Sequence, residues 1–373
     1  MSSSSIPFVD LRAQYLSIQD EIDAAIASVI RETSFIRGPH VAAFEESYAN
    51  ACGRRHCIGV ANGTDAIYIA LKMLGVGPGD EVVTAANSWI ASSETITQTG
   101  ATPVFVDVES DFYNMDPERL KAAMTPRTKA VVAVHLFGQP AQIDAIKNLC
   151  DEHGAHLVED CAQAHFSEFE GRQVGGFGVA ATYSFYPGKN LGAYGDAGAI
   201  VTDDDDLAAR MRSFARHGAS PKDKHDHIME GVNSRLDGIQ AAVLNVKLPY
   251  AKEWNARRAE KAERYLELLA DVEELTLPKT RPNATHVWHV FSVRAPRRDE
   301  VRRRLSDAGV HTGIHYPTPL PLLAAYDRMG HGPEDFPIAS RNSAEFLSLP
   351  LYPELTDDAQ ARVASCLKEA LAG

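Results

Sequence analysis

The sequence predicts an α/β fold in three layers: helices on both faces of a mainly parallel, seven-stranded sheet, followed by a smaller C-terminal α/β unit. Two observations lead there. Seven short runs rich in β-branched residues recur up to Thr202, namely "CIGVAN", "EVVTAA", "TPVFVDV", "AVVAVHLFG", "HLVEDCA", "ATYSFY" and "AGAIVT". Helix-length segments such as "DAIYIALKMLG", "SSETITQTG" and "IDAIKNLCDEHG" lie between them. Short apolar strands alternating with helices form a parallel sheet buried on both sides.

The pattern changes near Ser234. "LDGIQAAVLNVKL" puts Leu236, Ile239, Val243 and Val246 on one helical face, and Pro249 ends or kinks that helix. "EWNARRAEKAERYLELLADV" reads as a charged amphipathic helix, followed by "HVWHVFSVRA" (strand), "RDEVRRRLSDAGV" (helix), "HTGIHY" (strand) and a closing helix near 356–371. The boundary falls at about 248. Residues 1–248 form the large domain, with an N-terminal arm and helix over 1–35, and residues 249–373 form the small one.

Composition narrows the function. With 45% hydrophobic and 23% charged residues the chain is an ordinary globular protein, and 373 residues suffice for a large domain with a smaller companion. A net charge of −13 argues against nucleic acid or an anionic membrane as partner. No apolar run approaches the ~20 residues that span a bilayer, and "MSSSSIPFVD" has no signal-peptide character; a cytoplasmic location is expected. The five cysteines, an odd number without a CxxC pair, read as reduced thiols. His311 with His315, and His225 with His227, come without a carboxylate at ligand spacing, so no metal is expected.

In open α/β sheets ligands collect at the carboxyl ends of the strands, and four segments place polar groups there. "VANGTD" ends a strand at Asn62-Gly63-Thr64 and opens a helix, whose free N–H groups favour an anion such as phosphate; a simple turn and cap reads equally from the same residues. Trp89 follows the next strand and could stack on a flat heterocycle or sit in the core. Glu159 and Asp160 end an apolar strand, where a carboxylate needs a partner. Asp160 could hold a proton on a heteroaromatic nitrogen, with Gln163 donating to a phenolate; a helix cap and a surface amide are the plainer readings. Lys189 lies in "YPGKNLGAYG", where apolar neighbours would favour its free amine and flanking glycines would let a bulky ligand reach the backbone. A free amine there can form a Schiff base with an aldehyde; a solvated lysine is the plainer reading.

Anion turn, aromatic, acid with amide, and lysine occur in that order at successive strand ends. At this point the sequence resembles the pyridoxal 5′-phosphate (PLP)-dependent nucleotide-sugar aminotransferases of the DegT/DnrJ type, which have the fold-type-I architecture. The matching text includes "FIRGPHVAAFEESYA", "GVANGTDAIYIALKMLGVGPGDEVVT", "VEDCAQAH", "YSFYPGKNLGAYGDAGAIVT", "GVNSRLDGIQAA" and "IHYPTPL" and spans nearly the whole chain. The resemblance implies that Lys189 holds the cofactor and shuttles protons, that Asp160 faces the ring nitrogen and that Gln163 faces the ring hydroxyl. It implies Gly63, Thr64 and Ser184 at the phosphate, Trp89 on the ring, and Asn233 reaching the phosphate of a neighbouring subunit, hence a homodimer with shared sites. Arg37, Arg216, His217, Lys222, Arg235 and His315 are candidates for carboxylate or diphosphate, with Tyr186 and Tyr316 as further substrate contacts. The implied reaction moves an amino group from L-glutamate to a nucleoside-diphosphate-linked keto sugar. "HLFGQP", "FYPGKNLGA" and "NSRLDGIQAA" resemble the 3-oxo branch more than the 4-oxo branch. Dehydratase relatives carry histidine where this chain has Lys189, and a non-catalytic regulator is the third alternative. Pro321, Ala197, "KDKHDHIMEG" and "AHFSEF" depart from the family pattern where the sugar would sit.

Overall fold

The computed structural model describes residues 5–372. Three helices, α1 (Leu11–Ser17), α2 (Gln19–Glu32) and α3 (Pro39–Ala51), precede the sheet. The single helix expected within 1–35 is thus two, parted at Ile18, whose φ of −135° is not helical. The sheet strands are β1 (His56–Val60), β2 (Glu81–Ala85), β3 (Thr102–Val106), β4 (Thr128–Val134), β5 (His156–Asp160), β6 (Ala180–Ser184) and β7 (Gly198–Thr202). They pair in the order β1-β7-β6-β5-β4-β2-β3. Only β7 runs antiparallel to its neighbours. All seven expected runs are strands, in a mainly parallel sheet.

Helices α4 (Gly63–Met73), α5 (Ala91–Thr99), α6 (Pro117–Ala123), α7 (Ile143–His153) and α8 (Asp205–Phe214) follow the strands. Two-sided burial is visible along β4. Ala130 and Val132 enter one core with Ile67 and Ala70 of α4, whereas Val131 and Ala133 enter the other with Ile143 and Ile146 of α7. Successive strand side chains point to opposite faces, so a strand covered on both sides must be apolar throughout.

The register aligns the chemistry. Val134 pairs with Asp160, and Ser184 with Gly198, so the ends of β4, β5 and β6 and the start of β7 share one edge. Gly198 is required there for contact: a Cβ would lie 2.4 Å from the Asn62 carbonyl carbon and oxygen. The turn before α4 is pressed against the sheet at that point.

After β7 the chain runs through α9 (Gly238–Lys247), a 3₁₀ turn over Leu248–Tyr250 and α10 (Ala251–Leu268). Pro249 therefore separates two helices. The face expected for α9 is too narrow. Ala241 and Leu244 pack with Phe44 and Tyr48 of α3, Val243 packs with Ile22 of α2, and even Lys247 is buried. The helix lies between two others.

A two-stranded antiparallel sheet, β8 (Phe291–Arg294) with β9 (Phe346–Leu349), forms a further core with α10, α11 (Arg298–Asp307) and α13 (Asp357–Ala372). The chain between these strands includes α12 (Pro337–Glu345). Two expectations change here. "HTGIHY" is not a strand: it makes one bridge, Gly313 with Ser348, and Pro317 and Pro319 beyond it lack the N–H to extend a ladder. "HVWHVFSVRA" is strand only at its end, because Val287 and His289 instead donate to Gly138 and Phe137. Ile6 bridges Val310, while Leu320, Tyr326 and Phe336 pack into the core of the large sheet.

Replacing Gly198 by alanine should force the turn off the sheet and cost about 1–3 kcal/mol, as overpacking does. A urea melt of the variant within 0.5 kcal/mol of wild type, a bound set by ordinary surface substitutions at about that size, would contradict the contact.

Candidate active site

A cavity of about 620 Å³ opens at the carboxyl edge of the sheet. Gly63, Thr64, Trp89, Asp160, Gln163, Ser184, Tyr186, Lys189, His315 and Tyr316 all line it. Ten positions named from the sequence therefore converge on one space.

One wall of it is the start of α4. Asn62 Oδ1 accepts from the Asp65 amide at 2.7 Å, capping the helix. The Gly63 and Thr64 amides then have no acceptor among the described residues. A Cβ on Gly63 would lie 2.7 Å from the Ser184 Cβ, so the hydroxyl of Ser184 closes the same corner. Turn and cap are one structure, and it leaves two amides free at the cavity.

Asp160 is 6% exposed at the end of β5. Its Oδ1 accepts from the Ala162 amide and its Oδ2 from Ser92 Oγ, each at 3.1 Å. Burial raises its carboxyl above the ordinary range, while the Ala162 N–H, Lys189 and Ser92 pull the other way. Gln163 Oε1 takes the Phe137 amide at 2.7 Å, which turns its NH₂ toward the Tyr316 hydroxyl at 3.1 Å. The surface-amide reading of Gln163 is excluded, since the residue is 6% exposed. Trp89 is not a core tryptophan either: it is 58% exposed and tilts against Tyr316, ring centroids 5.6 Å apart.

Lys189 follows β6 and faces the cavity. Burial pulls its ammonium down to about 8, and Asp160 opposes that fall. The glycines around it do a different job from the one expected. A Cβ on Gly192 would meet the Pro187 carbonyl at 2.3 Å, and one on Gly198 would meet Asn62; both glycines let two stretches of backbone lie close together, and of the glycines around Lys189 only Gly188 lines the cavity.

Sequence reasoning missed the groups that hold these residues. Glu159, fully buried behind Asp160, accepts from the amides of Gly175, Phe177 and Gly178 and pairs with His135 at 3.2 Å. Burial alone would raise its carboxyl, but His135 and the amides leave it lowered. His135 Nδ1 in turn accepts from the Ala141 amide. Glu159, His135 and Cys161 are close enough to ligate a metal, yet the lone pairs of the first two are committed to hydrogen bonds. His165 Nε2 donates to the Ser184 carbonyl at 3.1 Å and its Nδ1 accepts from Tyr48 at 2.8 Å. The signals in the sequence were weak: Glu159 is a carboxylate ending an apolar strand beside Asp160, and His165 lies two residues after Gln163.

Six of the named residues lie elsewhere in the single chain. Arg37, Arg216 and Arg235 line a separate cavity with Arg212 and Glu45. Asn233 bridges Arg216, and His217 is exposed. Lys222 is also on the surface. Exposed Phe35 and Ile36 adjoin this arginine cluster.

Comparison with known proteins bears on this geometry. Residues 16–368 match the model of the DegT/DnrJ/EryC1/StrS aminotransferase family. The chain belongs to this family. It is 45% identical over 363 residues to the erythromycin biosynthesis sensory transduction protein EryC1 of Saccharopolyspora erythraea, covering 97% of this chain and 99% of that one. It is 44% identical over 366 residues to dTDP-3-amino-3,4,6-trideoxy-alpha-D-glucose transaminase of Streptomyces venezuelae, covering 98% and 96%. The structure of DesV from S. venezuelae in complex with a ketimine intermediate superposes with a TM-score of 0.96 at 43% identity, covering 98% of each chain. The protein is a PLP-dependent aminotransferase of fold type I. Its cavity fits that cofactor: two unpartnered amides beside a hydroxyl for a phosphate, a buried carboxylate for a ring nitrogen, and a lysine of lowered pKa for an aldehyde.

In cofactor-free protein, acylation of Lys189 should rise through about pH 8, below the range of the surface lysines. Because Asp160 stabilises the ammonium, Asp160→Asn should move that rise to lower pH. Peptide mapping across a pH series checks both, and a rise at the pH of ordinary lysines would contradict the burial.

Proposed function

We propose that the protein transfers an amino group from L-glutamate to a nucleoside-diphosphate-linked 3-oxo sugar, giving the amino sugar nucleotide and 2-oxoglutarate. The observation that carries this reading is the convergence of Lys189, Asp160 and the Gly63–Thr64 amides on one cavity. The 3-amino product in the name of the 44% identical relative supports the position of attack, as do the "HLFGQP" and "NSRLDGIQAA" motifs.

When bound, PLP supplies an electron-poor ring that stabilises negative charge at the reacting carbon. The residues take separate parts. The Gly63 and Thr64 amides and Ser184 Oγ bind phosphate, helped by the positive end of α4. The Asp160 carboxylate keeps a proton on the ring nitrogen, and Gln163 donates to the ring hydroxyl. Trp89 covers one ring face. Lys189 would anchor the cofactor until the donor's amino group displaces it; its freed amine, of lowered pKa, would then take a proton from the reacting carbon and return it. His315 and Tyr316, with Tyr186 at the mouth, contact the sugar.

Asn233 and the arginine cluster complete the site from a second copy of the chain. Arg37, Arg212, Arg216 and Arg235 face a single acid, Glu45, and burial together with this crowding lowers the Arg216 guanidinium. Such a cluster favours a diphosphate, and exposed Phe35 and Ile36 beside it suit a dimer contact. Residues 1–248 and 249–373 act as large and small domains. No helix among the described residues is long and apolar enough to cross a membrane.

Two experiments test this. Offered 3-oxo and 4-oxo sugar nucleotides in competition, the enzyme should aminate the 3-oxo compound; preference for the 4-oxo compound would overturn the regiochemistry. Mixing inactive Lys189→Ala with impaired Asn233→Ala protein should restore activity well above the sum of the two, because one site of each mixed dimer regains both residues. No gain after subunit exchange would place Asn233 outside the shared site.

A further inference from the structure

Four arginines are buried among the described residues: Arg54, Arg258, Arg281 and Arg298. Three have a carboxylate: Arg54 pairs with Asp203 at 3.3 Å, Arg298 with Asp299 at 2.6 Å, and Arg281 with Glu109. Arg258, on α10 and only 4% exposed, pairs with none among the described residues. Its Nη1 donates to the Leu351 carbonyl at 2.7 Å and to that of Trp288 at 3.4 Å. Its Nε is buried without an acceptor, and Nη2 has no partner among the described residues. A guanidinium stays charged where a lysine would neutralise, so an unpaired buried one is costly.

Arg258 is also the arginine that lines the Lys189 cavity. The other groups there leave it the role of anion receptor. Lys189 is the reacting amine. His315 is neutral, burial having pulled it down to about 4. His289 Nδ1 donates to Asn190 Oδ1 at 3.0 Å, because the Asn190 NH₂ is spent on Asn255 and Val287; its Nε2 is then an acceptor and cannot bind an anion. Asp160 is held by Ser92 and Ala162, and Asp196 is exposed at the rim. Glu354 acts on Arg258 from beyond ion-pair distance and acts on buried Lys247 as well.

We propose that Arg258 binds a carboxylate of the amino donor, an assignment that rests on the aminotransferase reading above. A neutral keto sugar would leave the charge unmatched, whereas an amino acid must bring a carboxylate into the same cavity as its reacting nitrogen. The two bonds to main-chain carbonyls hold the guanidinium through Nη1 before the donor arrives, which leaves Nη2 uncommitted for a carboxylate.

The test separates the half-reactions. In Arg258→Met holoprotein, the L-glutamate concentration that half-converts the cofactor's visible absorption should rise by roughly a hundredfold, the scale of losing one partner of a buried charge pair. Arg258→Lys should recover part of that. Amination of a 3-oxo sugar nucleotide by Arg258→Met protein preloaded with pyridoxamine phosphate should stay near wild type. Without turnover, glutarate should raise the melting temperature of wild-type holoprotein and not of Arg258→Met. An unchanged glutamate dependence, or equal glutarate stabilisation of both proteins, overturns the proposal. So does loss confined to the sugar half-reaction, which would give the carboxylate to the sugar. Should Arg258→Met not fold, wild-type crystals soaked with glutarate decide: a carboxylate on the Arg258 guanidinium supports the assignment, and one bound elsewhere in the cavity ends it. Wild-type protein that glutamate never converts would instead mark failure of the aminotransferase reading itself.

Discussion

A carboxylate that cannot leave the protein interior and a lysine that cannot fully reach water act on each other across one cavity, and the rest of the site is arranged around that pair. Burial pushes both groups toward their neutral forms, and each opposes the shift in the other. The balance leaves Asp160 able to face a ring proton while Lys189 keeps an amine within reach of neutral pH. Neither property belongs to the residue alone. Both come from sheet register, which ends β5 and β6 at the same edge, and from the α4 turn pressed against Ser184 and Gly198.

That arrangement is held from behind. Glu159 turns away from the cavity and ties the end of β5 to three amides of the 175–178 segment and to His135. His165 fixes the Ser184 carbonyl through a tautomer set by Tyr48. Buried polar groups are stable only when fully satisfied, and satisfying them here also removes slack from Asp160 and Ser184. Arg258, His289 and Tyr316, all from the C-terminal third of the chain, line the same cavity as the strand-end residues.

Much of this was legible in the sequence. β-branched runs flanked by helix-length segments mark all seven strands, since a strand buried on both faces has no polar alternation to blur it. The residues at the strand ends were legible because a Gly-Thr turn, an Asp closing an apolar strand and a Lys among glycines are locally improbable. Hydrogen bonds between distant segments were not legible. Nothing in "EWNARRAE" distinguishes Arg258, which is buried, from Arg257, which forms a surface pair with Glu253. The irregular path of His286–Val290 depends on carbonyls of Phe137 and Gly138, some 150 positions earlier in the chain. The strand at "FLSL" escaped notice because it is short and follows directly on α12.

The covalent anchor is the most direct point of attack. Lys247 is a built-in competitor: it is fully buried and pulled down to about 7, but it donates to the Gly192 carbonyl and lies outside the cavity. Holoprotein reduced with borohydride, digested and sequenced by mass spectrometry should carry the cofactor on Lys189 alone. An adduct on Lys247 or any other lysine, or no adduct at all, would contradict the account.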